Sequence, residues 1–304
     1  MTDTPRRRGA ASRLLACAAV VLLALLAWRV AGGREGPGLP AWLELPSNRP
    51  LAELPRGPVL ERAVQRGRLI VGVRSYPRPA PPDAPTPPEP DSLDAEVARR
   101  LARTLGIELE LIGLAAAEQP AALREGRVDL LLAGAPASAD TGGIAAAPVG
   151  YAAGAGMLVA LRKGKVQDLP GLRGQPVCVG DGSGYAGTLS ARYGAVPRSY
   201  PSAVHAVSAF MSGECAALAE DADVLERLLR NEEWRFYRTL ARDMPRAAEA
   251  AVRIVEGDAV SRGYLAAALR RWRADGTLAQ AQATRTGNVQ FEITLLKDGL
   301  VCHS

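Results

Sequence analysis

The apolar residues of this chain fall into short runs, broken by glycines and polar stops. Leu69-Ile70-Val71-Gly72-Val73 is a continuous apolar run of strand length. Leu93, Val97, Leu101 and Leu105 recur every fourth residue, which predicts a helix capped by Asp91 or Ser92 and ended by Gly106. Ile107 to Ile112 alternates apolar and acidic residues, as a strand at a sheet edge does. One arrangement then occurs twice. Arg124-Glu125-Gly126-Arg127-Val128-Asp129 leads into Leu130-Leu131-Leu132-Ala133-Gly134, and Met211-Ser212-Gly213-Glu214-Cys215 leads into Ala216-Ala217-Leu218-Ala219-Glu220-Asp221. Each reads as a helix end, a glycine stop and a short apolar strand. Each also follows an earlier apolar strand, Arg68 to Val73 in the first half and Pro176 to Gly180 in the second. Strand, helix and strand in this order predict a doubly wound parallel sheet. Two such sheets predict two α/β lobes and a cleft between them, where small ligands commonly bind.

The same reading places the remaining elements. A short helix covers Val59 to Arg66. Pro77 to Pro90, with eight prolines, is expected as an extended surface loop. The chain is loop-like through Pro148, and Gly156 to Leu161 is a strand. Helices are expected at Tyr185–Tyr193, Ala203–Ser212, Asp221–Asn231 and Ser261–Ala274, with another starting near Thr277. Ala250 to Val255 is a returning strand, and Asn288 to Leu296 has strand character. The chain would cross between lobes near Pro148–Met157 and Ala248–Val255. The expected division is 59–155 with 249–285 as lobe 1, 156–248 as lobe 2, and 286–304 as a C-terminal tail.

Composition refines this picture. The chain has 304 residues and a net charge of +5, and three lysines leave 34 arginines among its 37 basic residues. No basic stripe follows the N-terminus and aromatics are 5%, so no nucleic-acid partner is expected. Residues 1–33 read as a signal peptide or N-terminal membrane anchor. Arg6-Arg7-Arg8 and Arg13 precede a charge-free run from Leu14 to Trp28, which is nearer a secretory segment than a full span. Residues 14–31 would carry any membrane attachment, and the rest of the chain would be periplasmic. Residues 34–58 form a Gly/Pro-rich spacer. Export favours disulfides. Cys178 and Cys215 lie on two strands of the second half, which adjacency would bring within bonding reach, leaving Cys302 over. With only His205 and His303, no zinc spacing occurs; neither a metal nor a cofactor is expected.

Several segments, in order, resemble the periplasmic solute-binding proteins of the amino-acid-type ABC transporters (bacterial extracellular solute-binding protein family 3). They are Arg68 to Val73, Ser92 to Val97, Gly126-Arg127-Val128-Asp129, Asp168 to Gly174 with Val177, Glu256-Gly257-Asp258 and Ala274 to Leu278. The resemblance spans about residues 59–283. It implies a type II periplasmic-binding-protein-like fold, two α/β lobes joined by a two-strand hinge. It also implies capture of a small, amino-acid-like solute for an ABC permease, without catalysis. Cys178 and Cys215 resemble a second-lobe disulfide of some broad-specificity members.

The resemblance assigns site residues one by one. The lobe-one arginine that holds a ligand carboxylate falls at Thr141, and of the nearby hydroxyl positions only Ser138 keeps one. A threonine cannot replace a bidentate guanidinium clamp, so Arg74 or Arg78 would have to substitute. Asp221 falls where the family holds the ligand's α-amino group; it would equally serve as an N-cap. Asp181-Gly182-Ser183-Gly184 opens a helix, so Ser183 and free backbone N–H groups would hold an oxygen, or Ser183 is a turn residue. Tyr76 would stack on the ligand or pack.

Three other readings compete. Gly182-Ser183-Gly184-Tyr185-Ala186-Gly187 fits a dinucleotide fingerprint, but the next strand supplies Arg198 in place of an acid. A few periplasmic dehydratases use this scaffold, though no paired carboxylates stand out here. The scaffold would also serve as a partner or sensor protein that transports nothing.

Overall fold

The computed structural model describes residues 50–78, 86–135, 142–152 and 154–301, with side chains through Leu296. The N-terminal segment, most of the spacer, Ser138, Thr141 and Cys302 lie outside the described residues. Among those described, no helix is long and apolar enough to cross a membrane.

From Pro50 onward the chain builds two sheets within one unit. The first contains β1 (Arg68–Pro77), β2 (Pro88–Pro90), β3 (Glu108–Leu114), β4 (Leu130–Leu132), β5 (Ile144–Gly150) and β11 (Ala251–Val255). Its order is β2-β1-β4-β11-β5, with β3 beside β1. β1 runs parallel to β3 and β4, whereas β11 runs antiparallel to β4 and β5. The second contains β6 (Gly156–Leu161), β7 (Pro176–Gly180), β8 (Val196–Tyr200), β9 (Ala217–Asp221) and β10 (Tyr237–Met244), in the order β10-β6-β9-β7-β8. β7 is parallel to β8 and β9, and β6 is antiparallel to β9 and β10. We call the sheets and their covering helices lobe 1 and lobe 2. The doubled arrangement supplies α3 (Gln119–Arg124) with β4 in one and α5 (Ala203–Met211) with β9 in the other.

Each lobe has its own apolar core. In lobe 1, α1 (Gly57–Arg66), α2 (Ser92–Leu105) and α7 (Ala259–Ala274) cover the strands, burying Leu60, Leu69, Val71, Val97, Leu101, Ile254 and Leu269. Asp91 caps α2, accepting from Leu93 N and Asp94 N at 3.0 and 3.2 Å. In lobe 2, α4 (Ala186–Tyr193), α5 and α6 (Ala222–Leu228) flank a sheet whose two faces carry separate clusters. Cys178 and Cys215 are disulfide-bonded, with a Cα–Cα distance of 5.6 Å.

Three sequence expectations change. The loop-like stretch before Pro148 contains β5, whose pairing with β11 outweighs its small residues. β10 was not anticipated; its burial is only partial, so its apolar pattern is weak. The tail expected to have strand character is part of one helix, α8 (Thr277–Val301). Its β-branched and aromatic residues favour strands only as a weak prior, and packing decides. α8 lies against α2 and α7 of lobe 1 and against α5 and α6 of lobe 2. It therefore ties the lobes together, in addition to the two chain crossings between β5 and β6 and between β10 and β11. The crossings are bonded to each other, Tyr151 N donating to Ala250 O at 2.8 Å.

Candidate functional site

The C-terminal ends of β1, β4, β7 and β9 converge between the lobes. Strand ends of this kind expose backbone and polar side chains where open α/β sheets bind ligands. β1 brings Arg74 and Tyr76, and the segment after β4 brings Gly134 and Ala135. The turn after β7 brings Asp181 to Tyr185, and β9 ends on Glu220 and Asp221.

The lobes touch directly here. Ala135 N donates to Gly182 O at 2.7 Å, and Arg74 Nη1 donates to Asp181 O at 2.9 Å. Gly134 has φ +67°, and a Cβ there would lie 2.5 Å from Gly182 O. Only glycine allows this backbone-to-backbone approach. Tyr76 meets His205 of α5 edge to face at 6.4 Å.

Charge is concentrated at the contact. Arg74 pairs with Asp94 at 2.7 Å and Asp91 at 3.3 Å, and both carboxylates are buried. Burial favours the neutral form of Asp91, but Arg74 and Arg285 outweigh it and hold its pKa at about 2. Asp94 is pushed up instead, because its burial is stronger than the pull of Arg74. Tyr151 donates to Asp94 at 2.7 Å and accepts from Gly134 N at 2.7 Å.

Asp221 is the second hub. Its Oδ1 accepts from Tyr185 Oη at 2.6 Å and Arg246 Nη2 at 2.5 Å. Its Oδ2 accepts from Gln282 Nε2 at 2.7 Å and Arg285 Nη1 at 3.2 Å. A carboxylate offers about four lone-pair positions, and this chain fills them all. Arg285 Nη2 reaches Glu220 at 3.3 Å, and burial pushes the Glu220 carboxyl up against the pull of Arg285. Gln282 and Arg285 both come from α8.

A cavity of about 300 Å³ remains beside these contacts. Arg74, Tyr76, Leu131, Ala135, Gly182 and Arg253 are among its walls.

The chain has the fold of the type II periplasmic binding proteins. Its solved neighbours are substrate-binding proteins of amino-acid ABC transporters, at low identity. One, from Streptococcus pneumoniae and bound to L-arginine, is 16% identical with a TM-score of 0.56, over 75% of this chain and 98% of that one. A solute receptor for L-cysteine from Neisseria gonorrhoeae is 19% identical with a TM-score of 0.55, over 74% and 92%. An ancestral arginine-binding protein bound to arginine is 17% identical with a TM-score of 0.52, over 72% and 98%. No protein-family model and no curated protein matches the chain.

The expected site residues can now be placed. Tyr76 lines the cavity, but its hydroxyl is committed to Asp91 Oδ2 at 3.0 Å. The Ser183 hydroxyl is buried without a partner, while its carbonyl accepts from Arg246 Nε at 3.1 Å. Asp221 occupies the N-cap position of α6 yet makes no capping bond; neither the amine-binding nor the capping role matches its present bonds. Ser138 and Thr141 lie outside the described residues. Arg74 and Arg78 do not supply a free clamp, because Arg74 holds Asp91 and Asp94, and Arg78 holds Glu89 and Glu292. The glycine-rich 182–187 turn is covered: Ala247 N donates to Gly184 O at 2.8 Å, and a Cβ on Gly184 would lie 2.2 Å from Ala248 O.

The residues missed by sequence reasoning are Arg246, Gln282, Arg285 and Arg253. The first three act on a carboxylate 25 to 64 positions away, and no local spacing marks them. Arg253 carried one signal, a charge inside the apolar strand Ala250–Val255.

Proposed function

We propose that this chain is an exported, non-catalytic solute-binding protein that closes its lobes on a small polar, amino-acid-like solute and delivers it to an ABC permease. The observation that carries this reading is the cavity between the lobes, at the strand ends, in the fold of amino-acid receptors. The neighbours' ligands, L-arginine and L-cysteine, set the size class. Residues 14–31 direct export and retain or release the chain at the inner membrane. The hinge comprises the two crossings, which would let the lobes part and close. Tyr76 and Ser183 remain candidate contacts, and Ser138 and Thr141, outside the described residues, remain candidates from the sequence alone. Asp221 can meet a ligand only if α8 gives up its bonds.

A thermal-shift screen of the exported chain against amino acids, polyamines, organic acids and sugars tests this. A ligand that binds the folded state raises the melting temperature. No shift with any class refutes solute capture.

A second reading is favoured by the interlobe ties through Arg74, Ala135, Gln282 and Arg285. A chain held closed by its own residues would suit a partner or sensor protein that shows its closed surface constantly. Scattering curves identical with and without every screened solute would favour it.

A further inference from the structure

Arg253 is the cleft arginine whose charge is not matched by a nearby carboxylate. It lies on β11, in the middle of its sheet, opposite Leu131 on one side and Ala146 on the other. Its side chain is deeply buried; the residue is 5% exposed. Nη2 reaches Gln119 Oε1 at a long 3.4 Å, and Nη1 has no hydrogen-bond partner. Among the described residues no carboxylate lies within ion-pair distance of it. Arg74, Arg246 and Arg285, by contrast, each hold at least one. Burying an unpaired cation and an unsatisfied N–H is costly, and chains rarely retain one without a use for it. A guanidinium stays charged even there.

Arg253 also lines the 300 Å³ cavity. The apolar Leu114, Leu131 and Ile144 line the same cavity, together with the polar Ser75 and Gln119. Among the described residues Asp181 is the one acid in the lining, and it sits on the lobe 2 side. The position where related receptors would place their carboxylate clamp holds Thr141. The position for an ammonium, Asp221, is filled by four donors of this chain. The site therefore has an unmatched cation and a short apolar wall, and its ammonium acceptor is taken.

We propose that Arg253 is the anion anchor of this cavity, and that its ligand is a small carboxylate with a short apolar body and no amino group. This rests on the solute-binding reading above and narrows its ligand class. The carboxylate supplies the acceptor that Arg253 Nη1 lacks, in a charge-assisted bond. The apolar body packs on Leu131 and Ile144. Beside Arg253 an ammonium would face two guanidiniums, Arg74 and Arg253, while the one acid among the described lining residues, Asp181, stands on the lobe 2 side, so the matching amino acid binds more weakly.

The test is calorimetric titration of the exported chain with matched compounds: propionate against alanine, isovalerate against valine, and isovaleramide as the uncharged control. The same titrations are run on Arg253→Met and Arg253→Lys. The desamino acid is expected to bind at least about 10-fold tighter than its amino acid or amide. Arg253→Met should lose about 100-fold, and Arg253→Lys less, since one ammonium replaces a fork. Arg253→Met should melt no lower than the parent, because it removes an unpaired buried charge. Equal binding of valine and isovalerate, or unchanged affinity in Arg253→Met, overturns the anchor and leaves solute capture standing. Binding of only another compound class in the wider screen does the same. Silence in both the titrations and the screen overturns both.

Discussion

Replacing Arg285 with methionine isolates what α8 contributes to the closed cleft. Arg285 is buried and holds Asp221 Oδ2 at 3.2 Å and Glu220 Oε1 at 3.3 Å. Without it Asp221 keeps Tyr185, Arg246 and Gln282. Glu220 is in a worse position, since it is 1% exposed and its Oε2 is already unpartnered. The loss therefore falls mainly on Glu220. Breaking a buried pair from one side costs about 3–5 kcal/mol, which lowers the melting temperature by on the order of 10 °C in a chain of this size. The sign with pH follows from the carboxyl. Its folded pKa already lies above the ordinary 4.5 because of burial, and loss of Arg285 raises it further. Such a group contributes stability below its unfolded pKa and loses it as pH rises through the folded value. The deficit of Arg285→Met should thus be small near pH 4.5 and grow toward neutrality. Urea denaturation of Arg285→Met, Glu220→Gln and the double variant between pH 4.5 and 8 measures it. The double variant should recover most of the loss, because it removes the stranded charge. A deficit under about 1 kcal/mol at neutral pH, with no rescue by Glu220→Gln, would refute this account of the tie.

The other perturbations read different parts of the molecule. Gly134→Ala sets a Cβ against Gly182 O at a positive φ and should cost about 1–3 kcal/mol while forcing the lobes apart. X-ray scattering should then show a larger radius of gyration, and an unchanged one would mean the contact at Gly182 yields. Asp91→Asn keeps an acceptor for the α2 cap but loses the charge facing Arg74. Asp91 has a depressed folded pKa, about 2 against 3.8, so its contribution is present above pH 3.8 and lost as pH falls toward 2. That contribution is ~2 kcal/mol, and the variant's acid limb should be flatter by this amount in denaturation between pH 2 and 5. Cys178→Ala with Cys215→Ala opens a link of sequence separation 37 and should cost about 4 kcal/mol by loop entropy. A melting temperature unaffected by the double change would argue against the bond.

The architecture was readable because it rests on local patterns. The fourfold spacing from Leu93 to Leu105 became α2, and the two helix-glycine-strand passages became paired parallel strands. Cys178 and Cys215 could be paired because β7 carries Cys178, Cys215 stands just ahead of β9 rather than in it, and the two strands are neighbours. β10 and α8 escaped for the opposite reason. β10 is half-exposed and irregular in register, and α8 carries no sharp apolar stripe because it packs on two lobes at once. The site was legible only in part. Asp221 could be singled out by its place after a strand, but its partners Arg246, Gln282 and Arg285 come from segments whose approach only the tertiary fold decides.

The arginine excess acquires a use at the cleft. Arg74 grips a lobe 1 carboxylate through Nε and Nη2 while Nη1 reaches a lobe 2 carbonyl. Arg246 touches Ser183, Gly154 and Asp221 from one planar group. Arg285 spans two consecutive acids. Each behaves as a flat bracket with arms set at fixed angles, screwed to several surfaces simultaneously. An ammonium is a ball joint: it carries the same charge but dictates no angle between what it joins. A lysine exchange here would preserve every charge count and still unfasten the assembly, so charge-conserving variation at positions 74, 246 and 285 should prove as poorly tolerated as charge loss.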